Sequence, residues 1–147
     1  MNKDIGFINR PDLLEEYPDE NGVMFYSLKE DMKFFNGVNE LLVRKAWNQT
    51  VFMTNLASTP KFLHWLIPPD NKYYKYPSVL HDWLYSQKDV PRSFADKMFR
   101  LAIISEYKRK IAIETEEHHK LRYRFKSAVV GWSFWAGVRL FGRWFRG

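Results

Sequence analysis

The chain has 147 residues, 46% of them hydrophobic and 18% aromatic, enough large side chains for one domain with a real core and too many for a disordered chain. It contains no cysteine, which excludes a disulfide scaffold and thiolate zinc sites and fits folding in a reducing cytoplasm. Its formal charge of +6 is concentrated at one end: Lys120, Arg122, Arg124, Lys126, Arg139, Arg143 and Arg146 follow Glu117 with no acid among them, a pattern suited to an anionic partner.

Residues 1–22 carry Pro11, Pro18 and Gly22 among many acids and read as an irregular lead-in arm. The stretch from Met1 to Asp12 is polar, with no secretory signal visible. Runs rich in Val, Phe, Tyr and Thr follow at Val23–Leu28, Glu40–Trp47 and Thr50–Thr54. They are broken by Asn36-Gly37 and Asn48-Gln49, which predicts a small antiparallel sheet over residues 23–60. Thr54–Pro60 and Pro68–Lys72 read as loops, with Phe62–Ile67 a helical turn between them.

Helices dominate residues 61–147. Pro77 can open one through Tyr85, and Pro91 another through about Lys110, because a helix does not need the N–H of its first position. In the second, Phe94, Met98, Leu101 and Ala102 recur at three- and four-residue spacing and give an apolar face. A third helix is expected from about Thr115 towards Phe145, bent near Gly131 or Gly137, since glycine costs a helix interior about 1 kcal/mol. The expected architecture is α+β: a small N-terminal antiparallel β-sheet packed on a C-terminal layer of about three helices, in a single domain spanning 1–147.

The helix after Pro77 holds the residues with most chemical promise. His81 and Tyr85 stand four apart and share a face, while Asp82 points about 100° away. Asp96 on the next helix can hold the His81 ring by accepting its Nδ1 proton, as in a His-Asp dyad. The same residues also suit a satisfied core network that fixes the register of two helices. Arg92 is placed to pair with Asp96 at i,i+4 or to clamp the two helices. Thr54, Asn55 and Ser58 can line a pocket or serve as ordinary loop and cap residues before Pro60. No glycine flanks Ser58 in nucleophile-elbow spacing. A divalent metal has thin support at His81, Asp82 and Asp96, and adjacent His118 and His119 diverge by about 100° on a helix. His64, among Phe62, Trp65 and Leu66, suits the core or its rim. The expectation is therefore no cofactor.

The uncharged stretch Ser127–Val138 is too short for the roughly 20 residues that span a bilayer. Arg139, Arg143 and Arg146, spaced among Trp135, Phe141, Trp144 and Phe145, can instead contact an anionic surface. A core helix ending in cations accounts for the same pattern. Nucleic acid ranks below both, because the basic residues match no standard motif.

Three boxes and a tail carry a resemblance over about Leu41 to Gly142. The first is Phe52-Met53-Thr54-Asn55-Leu56-Ala57-Ser58-Thr59-Pro60, similar to Thr-Asp-Leu-Ala-Ser-x-Pro. The second is His81-Asp82-Trp83-Leu84-Tyr85, similar to His-Asp-x-Leu-Tyr. The third is Arg92-Ser93-Phe94-Ala95-Asp96-Lys97-Met98-Phe99, similar to Arg-x-x-Ala-Asp-x-x-Phe. The tail Trp135-Ala136-Gly137-Val138-Arg139-Leu140-Phe141-Gly142 is similar to Ala-Val-Arg-x-Phe-Gly. Together they resemble the phage and prophage family catalogued as domain of unknown function 1353. Asn55 stands where that pattern has Asp, so one negative charge is missing. The His81-Asp82 pair with Tyr85 also resembles the helix of secreted phospholipases A2, whose histidine activates water, although their calcium loop and disulfides have no counterpart here.

The resemblance implies a bacteriophage protein, made in the host cytoplasm and open to incorporation in the virion, whose partners are other phage proteins or bacterial envelope components. Two functional expectations follow. One is a small hydrolase acting on the bacterial envelope as the phage enters or lyses the cell, with His81 as base, Asp82 or Asp96 as orienter, and Tyr85 and Arg92 steadying the charged intermediate. The other is a non-enzymatic virion, tail or accessory binding protein in which these residues lock the core. Solvent access to His81 beside a concavity favours the first, and enclosure of its ring the second.

Overall fold

The computed structural model describes residues 4–56 and 74–113, together with helical residues 121, 124, 125, 127–129 and 132. Within these the chain runs as β1 (Gly6–Phe7), β2 (Leu13–Pro18), β3 (Met24–Leu28), β4 (Met32–Phe35), β5 (Glu40–Val43), β6 (Ala46–Trp47), β7 (Thr50–Val51), β8 (Met53–Thr54), α1 (Lys75–Ser86) and α2 (Arg92–Ile113). The fold is α+β, with the antiparallel strands first and the helices after them. Most of the expected third helix lies outside the described residues, as does the Phe62–Ile67 turn.

The strands form two three-stranded antiparallel sheets, ordered β1-β4-β5 and β2-β3-β8, and the separate hairpin β6-β7. In β4, Met32 and Phe34 turn fully inward while Lys33 faces out, the period-two alternation of a half-buried strand. Asn36 shapes the following turn: its side-chain oxygen accepts the backbone N–H groups of Val38 and Asn39 at 2.9 and 2.8 Å. Gly37 supplies the positive φ of 98° that the turn needs. The hairpin between Trp47 and Thr50 turns on Asn48 and Gln49, both left-handed at φ 47° and 66°, the geometry that matches strand twist in a two-residue loop.

Where an irregular arm was expected, β1 and β2 are paired. The first bonds to β4 and the second to β3. Their sequence hides them for a physical reason: β2 is the outer strand of its sheet and exposes every residue after Leu13, so no apolar alternation marks it.

Both helices pack on these sheets. Phe7, Leu28, Met32, Phe34 and Val43 from the strands meet Val79, Leu80, Trp83 and Leu84 of α1 and Ala95, Met98 and Ala102 of α2 in one core. Helix α1 begins two residues before Pro77, which still falls in the first turn, where backbone N–H groups have no intrahelical acceptor. Residues 87–91 then turn the chain, and the Pro91 carbonyl accepts the N–H of Phe94 at 2.9 Å as α2 starts. The buried face of α2 is wider than the predicted stripe. Phe99, Ile103, Glu106 and Tyr107 are also buried, because α2 packs against β1 as well as α1.

Glu106 is the one residue of that face whose burial needs a charge partner. Its side chain is 2% exposed, and its carboxylate accepts hydrogen bonds from Arg10, including Nε at 3.2 Å, and from Arg109 at 3.3 Å. The first of these ties the segment after β1 to the middle of α2. Removing one partner of a buried pair strands the other charge, so Arg10→Ala should cost about 3 kcal/mol of stability in urea unfolding. Adding Glu106→Gln should restore part of that loss, and an unchanged midpoint for Arg10→Ala would show that the pair does not hold the segment.

Candidate functional site

The second sequence box lies in the C-terminal half of α1, where that helix meets α2. His81 and Tyr85, one turn apart on α1, bring their rings to 4.2 Å between centroids. Asp96 enters from α2, and its Oδ1 meets His81 Nε2 at 2.8 Å and accepts the Tyr85 hydroxyl at 2.8 Å. Phe99, a turn beyond Asp96, covers the His81 ring at 4.7 Å. The imidazole is thus held between a phenol and a phenyl ring, with its side chain 8% exposed against 17% for Asp96.

The dyad differs from the expected one in its atoms. The nitrogen facing Asp96 is Nε2, whereas Nδ1 was expected; the ring reaches across to α2 with its far edge and keeps Nδ1 nearer its own helix. The Tyr85 hydroxyl, expected to steady a charged intermediate, donates to Asp96 instead. Burial pushes the Tyr85 hydroxyl above its ordinary range, the hydrogen bond to Asp96 and the charge of that carboxylate push the same way, and Arg92 opposes them. Arg92 itself lies over the Tyr85 ring at 5.8 Å from its centroid, a cation–π geometry, and does not form the i,i+4 ion pair with Asp96.

Asp82 turns to the other side of α1. Its Oδ2 accepts a hydrogen bond from the Thr54 hydroxyl at the end of β8. The same Thr54 oxygen accepts the N–H of Leu56 at 3.2 Å and so closes a turn around Asn55. Leu56 sits at φ 57°, a left-handed conformation that costs a leucine energy and persists because the turn is tied to Asp82. Phe52 packs edge-on against Trp83 at 5.1 Å and joins the same strand to α1 a second time.

Thr54, Asn55, His81, Asp82, Tyr85, Arg92 and Asp96 therefore fall around one end of α1, but as two separate bonded groups. Ser58, Arg139, Arg143 and Arg146 lie outside the described residues, as do His64, His118 and His119. Among the described residues no three His, Cys, Asp or Glu side chains converge as metal ligands. His81 and Asp96 are bonded to each other, and Asp82 to Thr54. Two cavities along α2, of 520 and 790 Å³, are lined by residues other than these.

Sequence reasoning missed Phe99 as the cover of the imidazole and missed Glu106 altogether. Phe99 lies three residues after Asp96, so the helical period could have placed it beside the dyad. Glu106 could have been found as an acid four residues after Ala102 on the apolar stripe, although nothing local announces Arg10 as its partner.

Fold and site define an α+β protein whose helical pair carries a part-buried His-Asp-Tyr network beside a Thr-Asp clasp. Residues 26–114 match the model of the family described as protein of unknown function (DUF1353), and the chain belongs to that family. The match runs from β3 through α2 and includes both bonded groups. No curated protein and no solved structure matches the chain.

The tyrosine gives a pH signature. Its folded-state pKa is raised above the ordinary 10.0, so at alkaline pH the unfolded chain loses this proton first. Stability from this group is then complete below about pH 10 and falls as pH rises further. Tyr85→Phe should cost about 1 kcal/mol or less at neutral pH, one hydrogen bond on a half-exposed side chain, and should flatten the alkaline loss measured by urea unfolding. An identical alkaline slope in the variant would mean that Tyr85 is not the group responsible.

Proposed function

We propose that this protein is a bacteriophage-encoded hydrolase that acts on the bacterial envelope, with His81 as its general base and Asp96 as the group that positions it. The observation that carries the proposal is the asymmetry of the imidazole. Nε2 is committed to Asp96, and Asp96 is itself fixed by Tyr85. No described residue bonds Nδ1, and this reading takes Nδ1 as the edge of the ring that meets water.

In this scheme Nδ1 takes a proton from water as the water oxygen attacks a carbonyl carbon of an envelope ester or amide. The imidazolium keeps its Nε2 proton on Asp96, whose negative charge stabilises it. The Nδ1 proton then passes to the leaving oxygen or nitrogen as the scissile bond breaks. Tyr85 acts through Asp96 as a positioning residue, and Arg92 through the Tyr85 ring. Asp82 and Thr54 shape the Asn55 turn at the edge of the site.

A second reading, a non-enzymatic phage virion, tail or accessory protein, has one specific observation in its favour: the 8% exposure of the His81 side chain between Tyr85 and Phe99. There the network serves only to lock α1 on α2. No helix among the described residues is long and apolar enough to cross a membrane. Both readings have other phage proteins or envelope components as partners.

Hydrolysis of phospholipid vesicles and of purified peptidoglycan by wild type, His81→Gln and Asp96→Asn, with thermal melting of each, separates the two. The hydrolase reading expects turnover in wild type and a loss of at least about 10²-fold in His81→Gln. Absence of turnover in wild type on both substrates, with melting sharply lowered in both variants, establishes the locking role instead.

A further inference from the structure

We propose that the 520 Å³ cavity between α2 and the helical residues beyond it binds a small amphiphile that carries an anionic head group on an alkyl chain. Its lining comes from two helical stripes. On α2, Arg100, Ile104, Lys108 and Ala112 follow at four-residue steps and share one face. Opposite them, Arg124, Ala128 and Trp132 follow at the same step. The volume falls within the range of about 300–1,000 Å³ usual for small-molecule sites.

The chemistry of the lining selects the ligand. Arg100, Lys108 and Arg124 line the cavity, and no carboxylate does among the described residues, so its described lining is cationic. Between the cations lie Ile104, Ile111, Ala112, Ala128 and the indole of Trp132, an apolar floor that a free inorganic anion would leave unused. Arg100 and Lys108, eight residues apart, stand about 12 Å from each other along the helix, which leaves room for a chain between two places where a head group can pair.

The neighbouring 790 Å³ hollow shares Ile104, Lys108 and Ala112 but is lined by Asp4 as well as by Arg10 and Arg109. Those two arginines are already bonded to Glu106, so its free positive charge is lower. The amphiphile is therefore assigned to the 520 Å³ cavity, whose described lining holds no acid. None of its lining residues belongs to the His81 network, and the assignment stands whether or not His81 is catalytic.

The test titrates the full chain with dodecyl phosphate below its micelle concentration, followed by tryptophan fluorescence and calorimetry, with inorganic phosphate and dodecyl maltoside as separate arms. Saturable binding of dodecyl phosphate is expected, with the fluorescence change lost in Trp132→Phe while the heat of binding remains. Lys108→Gln combined with Arg124→Gln should weaken binding about tenfold or more, and Lys97→Gln, an exposed α2 lysine outside the cavity, should leave it unchanged. Circular dichroism and melting confirm that each variant is folded, and Trp132→Phe keeps every cation should the double variant unfold. The proposal is overturned if dodecyl phosphate does not saturate, if inorganic phosphate binds as well (a simple anion site), if dodecyl maltoside binds as well (an uncharged apolar surface), or if the fluorescence change survives in Trp132→Phe.

Discussion

The mutual placement of α1 and α2 depends on a single carboxylate oxygen, Oδ1 of Asp96, which receives both His81 and Tyr85 from the neighbouring helix. A charge exposed over only 17% of its side chain loses much of its hydration, and the two donors replace it. The helices are joined by only residues 87–91, so this bond and the core beneath it fix how far one helix can slide along the other. With α1 so fixed, Asp82 reaches Thr54 on β8, and the strained turn at Leu56 is held in turn. Three stretches separated in sequence meet here, tied by Asp96 between the helices and by Asp82 to β8.

Glu106 repeats the device for the other side of α2. It lies ten residues beyond Asp96, about 15 Å along the axis and about 80° around it. One acid therefore faces α1, and the other faces the segment after β1. Tyr74 and Tyr107 add an uncharged bond of 3.0 Å between the helices near the start of α1, where burial raises the Tyr74 hydroxyl and keeps it protonated. The helix is wedged into a corner of the fold by polar contacts on two faces, with the apolar core filling the angle between them.

Much of this was legible where the signal is local. The i,i+4 pairing of His81 and Tyr85, the start of α2 at Pro91 and the turns at Asn36-Gly37 and Asn48-Gln49 all follow from residues close in sequence. What could not be read depends on distant partners. Strand β2 has an exposed face and no alternation, so only its pairing with β3 reveals it. The choice of Asp96 over Asp82, and of Nε2 over Nδ1, depends on the distance and rotation between two helices, and the core residues decide those. Arg10 and Glu106 lie 96 positions apart, and no periodic pattern links them.

The enclosure of the His81 ring between Tyr85 and Phe99 weighs towards packing, and the hydrolase reading rests on the one ring edge that these contacts leave. A general base needs one nitrogen edge in contact with water and the rest of its ring held still; Tyr85, Phe99 and Asp96 hold it from three directions, and under the proposed function Nδ1 is the edge left over. A ring free to turn would lose the tautomer that its contact with Asp96 selects. Asn55 bears on the same balance. An acid at this position would place a second negative charge beside the Asp82 clasp, and like charges so close raise each other's proton affinity. With asparagine there, the turn carries no second acid, and the bond between the Thr54 hydroxyl and Asp82 holds its shape.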